Sequence, residues 1–192
     1  MLRAAGIAVL STLMLSSTAV AAPIYFATTL SGPAESPPNA SPGTGLVEIW
    51  LDTALNTLEI QGSFSGLLGN ASAAHIHCCT LPTASVISPL AATYPIPLGG
   101  TSGVFDLTLD TEATSTYRAA FITANGGTTA GAEAAFLAAL LSGNAYFNVH
   151  SSLFPSGEIR GFLQVPEPIS LSLFGVGLAG LAVVRRRRKA KA

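Results

Sequence analysis

A mainly β fold is what this sequence predicts, an antiparallel sandwich or barrel with one short helical segment, and three observations carry that prediction. Seven runs of five to seven residues are rich in Val, Ile, Phe, Tyr and Thr. Gly, Pro, Asn and Ser punctuate them, as turn residues do between strands. A single stretch, Ala130 to Leu141, has the Ala and Leu content of a helix instead.

Along the chain, the first segment is an address rather than a fold element. Arg3 supplies a positive start, Ala4 to Leu15 is a twelve-residue apolar stretch broken only by Gly6, Ser11 and Thr12, and Ala19-Val20-Ala21 is an A-x-A motif. Residues 1–21 therefore read as a secretory signal peptide handled by the Sec translocon and signal peptidase, with Ala19 and Ala21 setting the cleavage. Cutting one residue later would place Pro23 directly after the scissile bond. An uncleaved anchor helix fits less well, because so short a stretch cannot span ~30 Å of hydrocarbon.

Ile24 to Leu30 is the first strand run, and Leu46 to Leu51 and Thr57 to Ser63 follow. Asp52-Thr53-Ala54-Leu55-Asn56 joins the latter two in a hairpin, placing Val47, Ile49 and Leu51 on one face and Glu48 and Trp50 on the other. Ala73 to His77, Val104 to Leu109, Ala145 to His150 and Glu158 to Leu163 complete the set, with Ser142-Gly143-Asn144 ending the helical stretch. Two connections, Ser31 to Gly45 and Cys78 to Gly103, exceed ordinary loop lengths and read as binding loops or packed covers. At the far end, Val165-Pro166-Glu167-Pro168 precedes the uncharged run Ile169 to Val184 and then Arg185, Arg186, Arg187 and Arg188. Sixteen residues at 1.5 Å rise give about 24 Å, short for a transmembrane helix but workable with Pro168 and the arginines at the interfaces. The arginines then stay cytoplasmic and the body of the chain lies outside.

Charge supports the same division. The chain is 49% hydrophobic and only 10% charged, and of its nine Lys and Arg only Arg118 and Arg160 lie between the two ends. Residues 22–166 carry those two bases against nine acids, a net charge of −7. That disfavours a phosphate-binding nucleic-acid surface, and a body without lysine excludes P-loop and lysine Schiff-base chemistry. Gly175-Val176-Gly177-Leu178-Ala179-Gly180 matches G-x-G-x-x-G, but the chain ends before the second strand and acidic residue that a nucleotide fingerprint needs. Small residues in a membrane helix account for it better.

The Pro-Glu-Pro tripeptide, apolar run and Arg cluster of residues 165–192 together resemble the PEP-CTERM sorting signal. The resemblance implies a bacterium that makes exopolysaccharide, recognition by an exosortase in the inner membrane, and cleavage near the tripeptide. A second resemblance covers residues 22–164. Ala74-His75-Ile76-His77, then Ala145-Tyr146-Phe147-Asn148-Val149-His150, then Gly157-Glu158-Ile159-Arg160-Gly161 are similar to the motifs of the CHRD domain, which implies an immunoglobulin-like β-barrel or sandwich but no activity. Where that family usually has Gly after H-x-H, this chain has Cys78 and Cys79.

Four groups of side chains are candidates for chemistry. Cys78 and Cys79 have Cα atoms about 3.8 Å apart across a trans peptide, so they form a vicinal disulfide, remain free or metal-bound thiolates, or pair with another chain. Glu158 and Arg160 alternate with Ile159; Arg160 is expected to form an ion pair or clamp a loop carbonyl, with ligand binding as the alternative. Trp50 is a packing residue or a sugar platform. His75 and His77 leave one strand face with His150 on another strand, so the three imidazoles either hydrogen-bond loop carbonyls or Glu158 and organise the sheet end, or hold Cu²⁺ or Zn²⁺. The H-x-H strand looks like the copper site of copper-zinc superoxide dismutases, but the chain has no fourth histidine. There is no G-x-S-x-G, and Asn70-Ala71-Ser72 is an incidental sequon.

The expected protein is thus exported and passes through the inner membrane, with its domain on the periplasmic side, to the cell surface or extracellular matrix. It is expected to be no enzyme and to need no cofactor. Its role is that of a structural or binding component of the envelope or exopolysaccharide matrix, and the alternative is a mononuclear Cu/Zn or redox protein.

Overall fold

The computed structural model describes residues 21–79 and 96–166. The leader up to Val20, the sorting segment beyond Pro166 with the apolar helix expected over 169–184, and residues 80–95 of the long loop lie outside the described residues. Among the described residues, no helix is long and apolar enough to cross a membrane.

The strands are β1 (Ile24–Ser31), β2 (Thr44–Asp52), β3 (Thr57–Ser65), β4 (Ala71–Cys78), β5 (Gly103–Asp110), β6 (Ala145–Ser151) and β7 (Ile159–Phe162). All seven runs expected to be strands are strands. They form one antiparallel sheet in the order β4-β6-β7-β1-β2-β3-β5, curled into a half-barrel. The β2–β3 hairpin is set locally: Asp52 Oδ1 accepts from the N–H groups of Ala54 and Leu55, and Asn56 takes the left-handed conformation at φ 55°. Val47, Ile49 and Leu51 turn inward and are fully buried, while Glu48 and Trp50 are half-buried on the outer face.

The curl brings the ends of the strand order together. Phe105 of β5 stacks on Phe147 of β6 with ring centroids 5.5 Å apart. The segment before β5 bonds to the start of β4, through Gly99 N–H to Ala71 O at 2.9 Å and Ala71 N–H to Gly100 O at 2.8 Å. Those contacts occupy backbone groups that an open edge would expose.

The expected helix is α2 (Thr129–Leu141), which buries Ala132, Phe136, Ala139 and Leu140. Thr128 caps its start by accepting from Gly131 N–H at 3.1 Å. Its end is a left-handed stop: Gly143 sits at φ 70° and Asn144 N–H bonds back to Ala139 O at 2.8 Å. A six-residue helix, α1 (Ala119–Ala124), precedes it and was not read from the sequence. It has no buried residue and no periodic apolar face long enough to show.

Candidate functional site

The polar groups of the two histidine motifs and Arg160 lie on the outer face of β4, β6 and β7. Register explains the meeting. Ile76, Phe147 and Val149 point into the core, so alternation sends His75 and His77 of β4 and Tyr146, Asn148 and His150 of β6 outward. His75 pairs with Asn148, His77 with Tyr146, and Asn148 in turn with Arg160 of β7.

All three histidines of the chain come together here. His75 Nδ1 lies 3.1 Å from His150 Nε2, and one ring nitrogen from each of the three imidazoles lies within 4.8 Å of the others. His150 Nδ1 is 2.9 Å from Pro155 O. A carbonyl only accepts, so Nδ1 of His150 carries the proton and Nε2 presents its lone pair. His77 is buried and stacks on Tyr146 with centroids 4.9 Å apart. Burial, followed by the nearby charges of His150, His77 and Arg118, pushes the His75 pKa down to about 4. Burial also lowers that of His150, against the pull of Pro155 O. At neutral pH His75 and His150 are therefore uncharged.

Arg160 turns to the loop after β1. Its Nε donates to Ala34 O at 2.6 Å and stands 3.8 Å from Glu35 Oε2, and its guanidinium lies over the Tyr146 and Phe162 rings at 4.8 and 5.4 Å. It thus holds the loop after β1 against the sheet, by both an ion pair and a carbonyl clamp. Glu158, fully buried one residue before β7, has different partners. Its carboxylate accepts from Ser41 Oγ at 2.6 Å and from the N–H groups of Leu68 and Gly69. Burial alone would raise its pKa, but these donors and Ser151 outweigh burial and hold it below the usual range.

The glycines of the same motif are steric necessities. A Cβ on Gly157, at φ 130°, would lie 2.5 Å from Glu35 Oε1, and one on Gly161 would lie 2.2 Å from Thr29 O. Glu35 itself was not singled out from the sequence. Its only signal is that it is the lone charge in the Pro- and Ser-rich stretch between β1 and β2.

Cys78 and Cys79 are joined in a disulfide with Cα atoms 3.7 Å apart, at the end of β4 next to His77. Neither sulfur is a thiolate in this state. A cavity of about 580 Å³ behind the bridge is lined by Phe121, Ala135, Ala138 and Asn144 among others, and among the described residues no charged side chain lines it. Trp50 packs against Tyr25 at 5.1 Å on the far part of the sheet, where Tyr25 donates to Glu48.

A family model described as the CHRD domain matches residues 26–163, and one described as the PEP-CTERM protein-sorting motif matches residues 164–188. No curated protein and no solved structure matches the chain.

Proposed function

The chain belongs to the CHRD-domain family, and from that membership and its sorting motif we propose a non-catalytic structural or binding component of the bacterial envelope or exopolysaccharide matrix. The sorting motif marks it as an exported protein delivered through the membrane toward the cell surface and processed by an exosortase. One observation carries the reading: the folded module runs without a linker into the address that delivers it. The domain match ends at residue 163 and the motif starts at 164, yet Gln164 is still bonded into the sheet, exchanging backbone hydrogen bonds with Ala27 at 2.9 and 3.2 Å.

The use of charge supports a role without catalysis. Glu158 and Arg160, the strongest polar groups of the family motif, are spent on fixing loops. Replacing Pro166, Glu167 and Pro168 with alanine is expected to leave unprocessed chain in the inner membrane fraction, read by mass of the C-terminal peptide. Finding Arg185 to Arg188 still attached to extracellular protein from unmodified cells would overturn the sorting reading. For the role itself, native processed protein should co-purify with the matrix of its producing cells, and a freely soluble protein with hydrolytic activity on that matrix would refute it.

A further inference from the structure

Beyond the structural role, we propose that the outer face of β4 and β6 holds one divalent transition-metal ion, Cu²⁺ in preference to Zn²⁺, through His75, His77 and His150. The spacing fits the chemistry. Two nitrogens bound to one ion at ~2.0–2.1 Å lie roughly 2.9 Å apart at a right angle and 3.3 Å apart in a tetrahedron. His75 Nδ1 and His150 Nε2 are already 3.1 Å apart. The third imidazole has to approach by at most about 1.5 Å for a tetrahedron and about 1.9 Å for a right angle from its place within 4.8 Å, a turn of one side chain on the strand that also carries His75.

The surroundings prepare these rings as ligands. Pro155 O accepts a hydrogen bond from Nδ1–H of His150 and so leaves the lone pair of Nε2 directed toward His75, the second contact by which metal-binding histidines are commonly oriented. Rigid, paired strands carry all three rings. His75 and His150 are half-exposed, so an ion can enter and keep a fourth position open to water. Three imidazole nitrogens with no carboxylate or thiolate among them disfavour Ca²⁺ and Mg²⁺, and the affinity order of nitrogen sites places Cu²⁺ above Zn²⁺.

The test is calorimetric titration of the processed, metal-stripped protein with Cu²⁺ and with Zn²⁺ at neutral pH in a non-coordinating buffer. Expected are one Cu²⁺ per chain with a Kd near or below ~10⁻⁶ M, weaker Zn²⁺ binding, and nitrogen hyperfine structure in the Cu²⁺ electron paramagnetic resonance spectrum. His150→Gln and the double variant His75→Ala with His77→Ala should each weaken Cu²⁺ binding at least 10-fold. His150→Gln, at a half-exposed position, guards against a His77 variant that fails to fold, with circular dichroism as the check. Affinity no tighter than ~10⁻⁴ M, or affinity unchanged in folded variants, would eliminate the site. Zn²⁺ binding tighter than Cu²⁺ would overturn the choice of ion.

Discussion

At the scale of the residue, two buried glutamates titrate in opposite directions. The donors around Glu158 hold its pKa below the unfolded value of about 4.3, so the stability it contributes is present above that pH and is lost as pH falls through the folded pKa. Glu158→Gln keeps one acceptor but turns an amide toward donors, and should cost about 2–3 kcal/mol. Urea unfolding at pH 7 should show that loss, and at pH 3 the gap to the parent should shrink; an equal gap at both would refute the assignment. Burial raises the pKa of Glu35, against the pull of Arg160 and the Ser36 N–H. Its contribution is therefore complete below the unfolded pKa and fades as pH rises through the folded one. Stability of Glu35→Gln relative to the parent should accordingly improve between pH 4 and pH 7. The importance of Arg160 was legible from its scarcity. Its partner was not, because 125 positions separate Glu35 from Arg160 and only the folded sheet brings the two together.

At the scale of the element, the strands were readable because alternation is a local property. Val47, Ile49 and Leu51 declare an inner face before any partner strand is known. Which strands are neighbours is a global property, so the convergence of His150 with His75 and His77 was an open expectation until the β4–β6 register closed it. Helix α1 stayed hidden because six residues give less than two turns of periodicity. Two substitutions weigh local against packed contributions. Thr128→Ala removes a helix cap and should cost about 1 kcal/mol. Gly161→Ala drives a methyl into the Thr29 carbonyl, a backbone atom with little room to yield, and should cost about 3 kcal/mol or more. Thermal melts should rank them in that order, and a Gly161→Ala variant that melts with the parent would show that β1 and β7 part easily.

At the scale of the whole molecule, acidity governs what the domain can touch. With a net charge of −7 over residues 22–166, attachment to an anionic polysaccharide has to run through divalent cations, and attachment to a neutral one through apolar and hydrogen-bonding contacts. Chelator should therefore release the processed protein from an anionic polymer column, and salt-independent retention in chelator would contradict this. The strand order also has a temporal meaning. β7, the last strand in sequence, lies in the interior of the sheet between β6 and β1, and the chain that follows it is fastened to Ala27 through Gln164. A chain threaded across a membrane from its N-terminus delivers β1 early and waits for β7, so the centre of the sheet remains a gap until nearly the whole domain has crossed. Completion of the fold and arrival of the sorting motif then fall together: the residues that fill the centre of the sheet are followed at once by the sorting motif, so a chain that presents the motif already carries every strand of the domain.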